Sequence, residues 1–166
     1  MIILFDMNKE MCDAWNKEFK DCNDVKVLNI KLDELQPVDY LVTAGNSYGI
    51  MNGGIDLAVR NLFGTRLQDR VQWGIIRKYK KLYLPVGDNI VVYGNNKYKN
   101  VIYAPTMEFP KFISKDCISK IFLNCLLTAK NGNIACCGLG ALTGGLTVTT
   151  VAQEMKLAYN KFKKIN

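Results

Sequence analysis

Twice in 166 residues a short apolar run gives way to a loop of small residues and then resumes as a helix, and this repeated step constrains the fold more than any other feature. The first instance is the stretch 40–56. Tyr40-Leu41-Val42-Thr43 has the length and β-branched content of a buried strand, and Gly45, Gly49, Gly53 and Gly54 mark backbone that turns sharply or approaches a ligand. From Ile55 the apolar positions Ile55, Ala58, Val59, Leu62 and Phe63 fall on one helical face. A helix beginning at Gly53-Gly54 exposes unpaired N–H groups that favour an anion, with Asn46 and Asp56 as the polar side chains facing the loop. In the second instance the strand Ile134–Cys137 runs into Gly138-Leu139-Gly140-Ala141-Leu142-Thr143-Gly144-Gly145, and a helix follows with Val151, Met155, Ala158 and Phe162 inward. Taken singly, either loop is equally well read as an ordinary loop-to-helix connection. The second also lacks the Lys-Ser/Thr of a P-loop, and Gly138-x-Gly140-x-x-Thr143 is not the dinucleotide fingerprint.

Between these landmarks the chain alternates strand and helix. Ile2–Phe5, Lys26–Ile30, Asn89–Tyr93 and Val101–Ala104 complete six strands, the last two antiparallel across a turn at Gly94-Asn95-Asn96. Asn8 N-caps a helix carrying Met11, Trp15 and Phe19, and Asp6 stands at the carboxyl end of the first strand, where ligands are met in α/β folds. Thr65-Arg66-Leu67-Gln68 and Thr150-Val151-Ala152-Gln153 read as capping boxes, Asn131-Gly132 as a helix stop with Gly in the left-handed region, and Pro105 as part of a strand end. The expectation is one α/β domain spanning 1–166, with a mixed, roughly six-stranded sheet between helical layers.

Composition narrows the chemistry. There is no histidine, which removes Ser-His-Asp and Cys-His catalysis and most zinc sites, so neither metal nor cofactor is expected. Six cysteines without a C-x-x-C pair suit buried reduced thiols, and adjacent Cys136 and Cys137 in a strand would face opposite sides of the sheet. No apolar stretch approaches the ~20 residues of a membrane span, and Met1–Phe5 is too short for a signal peptide, which together predict a soluble, cytoplasmic protein. The net charge of +7 suits an anionic partner. Charge alone leaves open a basic nucleic-acid-binding α/β domain as the alternative reading, although the clusters 77–81 and 161–164 also suit solvated helix ends.

Taken together, Val42-Thr43-Ala44-Gly45-Asn46-Ser47, Gly53-Gly54-Ile55-Asp56-Leu57-Ala58-Val59 and Gly138-Leu139-Gly140 with Gly144-Gly145 resemble a macrodomain, the family that binds ADP-ribose. Leu84-Pro85-Val86-Gly87, Ala104-Pro105-Thr106-Met107 and Ala152-Gln153-Glu154-Met155 look like the branch frequent in bacteria and their phages. The resemblance implies a three-layer αβα macrodomain whose ligand is ADP-ribose or another NAD-derived nucleotide, free or attached to a macromolecule. It further implies that Asn46 contacts the distal ribose and that Asp56 orients water in hydrolytic relatives. Gly45, Ser47, Gly53, Gly54 and Ile55 would approach that ribose and the diphosphate, and Gly138, Gly140, Ala141, Leu142, Thr143, Gly144 and Gly145 would wrap the diphosphate. A reader or sponge, able to blunt NAD-based immune signalling in a phage-like setting, and an ADP-ribosyl hydrolase are both compatible with it. Two departures stand out. The acid that reads adenine in the family is absent from Asn29-Ile30-Lys31-Leu32-Asp33, leaving Asp6 and Asp33 as substitutes, and Ala141-Leu142 replaces Thr-Gly, which suits a modified ligand.

Overall fold

The computed structural model describes residues 1–141 and 143–165. Its elements are β1 (Ile2–Phe5), α1 (Lys9–Glu18), β2 (Val25–Leu28), β3 (Val38–Asn46), α2 (Gly54–Phe63), α3 (Arg66–Tyr79), β4 (Ile90–Tyr93), β5 (Tyr98–Met107), α4 (Asp116–Thr128), β6 (Ile134–Cys136) and α5 (Val148–Ile165). Among the described residues the strands form one six-stranded sheet in the order β2-β1-β6-β3-β5-β4. Every pairing is parallel except β4 with β5, whose turn is held by Asn95 Oδ1 accepting from the N–H groups of Lys97 (2.9 Å) and Tyr98 (2.8 Å).

Alternation along the strands divides the core in two, because successive strand side chains point to opposite faces. Leu4, Val42, Ile102, Ala104 and Cys136 join α1, α4 and α5 in one cluster around Trp15 and Phe122. Phe5, Leu41, Val101, Tyr103, Ala135 and Cys137 join α2 and α3 in the other. The adjacent cysteines thus lie on opposite faces, as strand geometry requires, and all six cysteines are unbridged. The result is helix, sheet, helix in three layers. Among the described residues no helix is long and apolar enough to cross a membrane.

Several local expectations are corrected. The middle strands are longer than their apolar runs, since β3 continues to Asn46 and β5 through Pro105 to Met107. A register shift between Gly45 and Asn46 absorbs the proline, and β4 has already ended opposite Tyr103, so the missing N–H interrupts no ladder on that side. Thr65 makes no side-chain cap, and the Gln68 carboxamide instead accepts the N–H of Met51 at 2.8 Å, tying α3 to the loop after β3. The last helix starts earlier than Thr150 implies, with Thr147 Oγ1 accepting the N–H of Thr150 at 3.2 Å. Gly132 is not left-handed. A Cβ there would lie 2.9 Å from the Asp39 Cβ, so close approach to β3 is what excludes a larger residue. Asn8 does cap α1, accepting from the Glu10 N–H at 2.9 Å.

Candidate functional site

The parallel strands β1, β6 and β3 all point their carboxyl ends at one cavity of about 650 Å³, where ligands of open α/β sheets are met. Both glycine-rich loops open onto it. Gly45, Asn46, Gly53, Gly54, Ile55 and Asp56 line one wall, and Gly138, Gly140, Ala141, Thr143 and Gly144 line the other. Asp6 lines the floor between them. Two expected members are elsewhere. Ser47 is fully buried outside the lining, its N–H donating to the Glu108 carbonyl at 3.2 Å, and Gly145 lies against the Phe112 ring. Leu142 lies outside the described residues.

The first wall is built for close approach. Gly53 is the N-cap of α2 and contributes no side-chain cap, so the first N–H groups of the helix face the cavity without a side-chain acceptor. A Cβ at either Gly53 or Gly54 would meet open space, and Gly54 has φ +53°, a backbone conformation that L side chains rarely adopt. The second wall is folded back on itself, with the Leu146 N–H donating to the Gly140 carbonyl (3.3 Å) and the Ile113 N–H to the Gly144 carbonyl (3.1 Å). Among the charged residues lining the cavity Lys31 is the one cation, against Asp6, Asp33 and Asp56. An anion bound here would therefore be held chiefly by backbone N–H dipoles.

Beneath Gly45 sits a buried polar cluster. Thr43 Oγ1 donates to Asp56 Oδ1 at 2.6 Å, and the Tyr103 hydroxyl both donates to the Asn46 carbonyl (2.8 Å) and accepts from the Asn46 N–H (3.1 Å). A Cβ on residue 45 would collide with both the Tyr103 hydroxyl and the Asp56 carboxyl, so the glycine is required sterically. Burial pushes the Asp56 carboxyl up to about 8, against the Thr43 hydrogen bond, which favours the ionised form. A carboxyl held that high favours its neutral form near pH 7 and is a weak base there, and the one side-chain hydrogen bond it makes among the described residues is accepted from Thr43. Burial also raises the Tyr103 phenol, with a further push from the Asp56 carboxylate, so Tyr103 stays protonated.

The Asn46 side chain holds its own loop. Oδ1 accepts from the N–H groups of Tyr48 (3.0 Å) and Ile50 (3.3 Å), and Nδ2 donates to the Ile50 carbonyl (2.7 Å). Asp6 is similarly engaged, accepting from the Asn8 N–H (2.9 Å) and the Gly138 N–H (3.3 Å), so it ties the β1 loop to the second glycine loop. Asp33 lines the cavity with no side-chain partner among the described residues.

Comparison with known proteins adds the family. The Macro domain model matches residues 42–155, well over half of the chain and inclusive of both glycine loops. The chain belongs to the Macro domain family. An uncharacterised protein of Aquifex aeolicus is 29% identical over 145 residues, covering 84% of this chain and 83% of its own. Among solved structures, the macrodomain of Mycobacterium tuberculosis DarG superposes with a TM-score of 0.67 at 20% identity, covering 80% of this chain and 87% of that one. The Oceanobacillus iheyensis macrodomain with ADP gives 0.66 at 17% identity, covering 77% and 70%. This macrodomain nevertheless carries lining residues that its sequence did not single out. Thr43 and Tyr103, which read there as strand and core positions, lie buried behind the lining against Asp56 and Asn46, whereas Thr106 and Met107 line the cavity because β5 runs on past its apolar stretch, and Pro110 follows them.

Proposed function

We propose that this macrodomain binds ADP-ribose, or a close NAD-derived nucleotide, in the cavity and retains it rather than cleaving it. The observation that carries the reading is the convergence of two glycine loops and the uncapped start of α2 on a single cavity that has one cation. That arrangement suits a diphosphate gripped by amides between two sugars. The structural neighbour solved with ADP supports a nucleotide as the occupant. In this reading the segment 53–55 meets the distal ribose and diphosphate, and residues 140–144 cover the diphosphate. Asp33, with a free carboxylate at the cavity, is better placed than the engaged Asp6 to accept from the adenine amino group.

Retention is favoured over hydrolysis by two side chains. The neutral Asp56 carboxyl is a poor base at pH 7, and the Asn46 carboxamide is committed to its loop. A stoichiometric binder of this kind would read an ADP-ribosylated acceptor or withdraw an NAD-derived signal from circulation. Titration calorimetry with ADP-ribose against wild type and Gly53→Val tests the binding site. Gly53 has φ −155°, which any residue adopts, so the variant folds while its side chain occupies the ligand's space. Heat with wild type and none with Gly53→Val is expected; equal heats would place the ligand elsewhere. Release of ADP-ribose from a labelled acceptor, abolished by Asp56→Ala, would overturn retention.

A further inference from the structure

A second groove, of about 620 Å³, runs between α3 and the edge strand β4 and shares no residue with the nucleotide cavity. Arg66, Arg70, Trp73 and Arg77 recur along one face of α3, at the i, i+4, i+7, i+11 spacing of a helical stripe, and the edge strand β4 closes the other side with Val91, Val92 and Tyr93. The chain's arginines are Arg60, Arg66, Arg70 and Arg77, so three of the four line this groove, whereas none of its many lysines does. Asp69 is the single acid among the lining residues. None of the three arginines has an ion-pair partner among the described residues, and the Arg70 Nε–H is buried with no acceptor.

The aromatic residues are equally selective. Of the two tryptophans, Trp15 is fully buried, while Trp73 is 67% exposed. Gly74 explains how Trp73 comes to flank a groove. A Cβ there would lie 2.9 Å from the Ile90 Cδ1, so the glycine seats α3 directly on β4 and leaves the neighbouring Trp73 standing at the rim. Planar guanidinium groups that stack and fork, set beside the exposed Trp73 ring, match a ligand offering both phosphates and flat apolar faces. An acidic peptide supplies the charge but not the faces. A duplex hides its faces within the stack.

We propose that the α3/β4 groove binds single-stranded nucleic acid, with Trp73 stacking on a base and Arg66, Arg70 and Arg77 on the backbone phosphates. Because Trp15 is sealed in the core, stacking reads out directly as quenching of Trp73 fluorescence. Titration with a short oligothymidylate should quench that emission, and anisotropy with the same labelled strand should give a log–log salt slope of about −2, three contacts at about −0.7 each. Arg66→Gln, Arg70→Gln and Arg77→Gln combined should flatten the slope towards zero, and Trp73→Ala should weaken binding about tenfold, with Trp73→Phe restoring most of it. Since these side chains lie outside the cavity, calorimetric binding of ADP-ribose should be unchanged in every variant, which separates this proposal from the nucleotide reading. Absence of quenching in wild type, an unchanged slope in the triple arginine variant, or equal affinity for a duplex or for polyglutamate would overturn it.

Discussion

Raising the pH from 5 to 8 should destabilise the wild-type protein relative to Asp56→Asn by about 4 kcal/mol. Asp56 is 3% exposed, and its carboxyl lies at about 8 in the fold against 3.8 as the unperturbed value. Between those limits the folded state holds a proton that the unfolded chain has released, so stability falls with rising pH by about 1.4 kcal/mol per unit. The sign follows the raised acid: the favourable contribution is complete below about 3.8, declines through the interval, and is gone once the pH passes about 8. Three units at that slope give the stated difference, a large share of a typical domain's 5–15 kcal/mol. Asn keeps an oxygen for the Thr43 hydroxyl but cannot ionise, so it removes the pH term and little else. Urea unfolding followed by the emission of the sealed Trp15, at both pH values and for both proteins, measures the effect. Stabilities that run parallel from pH 5 to 8 would show that Asp56 is ionised in the fold and would refute its assignment as a neutral acid.

Other consequences of the buried cluster are measurable in the same way. Gly45→Ala drives a methyl group into the Tyr103 hydroxyl and the Asp56 carboxyl and should cost about 1–3 kcal/mol by overpacking, seen as a lowered Tm; an unchanged Tm would mean that the two side chains yield freely. Tyr103→Phe leaves the part-buried Asn46 N–H without its partner, while the Asn46 carbonyl keeps the Gly49 N–H at 3.4 Å, and one such lost group costs about 1–3 kcal/mol. Amide exchange at Asn46 should accelerate in that variant, and undiminished protection would show that another group takes over. Wild-type affinity for ADP-ribose should weaken as the pH rises past about 8, when Asp56 becomes an anion in the cavity, while Asp56→Asn should stay level; calorimetry across that range decides it.

The layers of this fold were legible in the sequence because its strands are apolar runs and its helices keep one face apolar. Each of the six runs became a strand, and the two glycine loops met as expected. What local pattern misjudged were the punctuating residues. Gly45 and Pro105 look like strand ends, yet they face each other across a register shift that lets both strands continue to the cavity. Gln68 looks like the far half of a capping box and serves the loop at Met51 instead. Ser47 looked like a loop residue available to a ligand, but its burial depends on Glu108 and on Leu84, whose N–H donates to the Ser47 carbonyl at 2.8 Å. Such partners, distant in sequence, leave no trace in a window around the residue.

The scarcity of cations around the two glycine loops has a selective effect. A pocket that recognises a diphosphate by the placement of peptide N–H groups rejects anions whose charge is right but whose shape is wrong, and it does so at ionic strengths that strip polyanions from an arginine-lined surface. On the proposed reading, polyphosphate and RNA, which offer charge without the outline of a diphosphate set between two sugars, would compete poorly for the cavity.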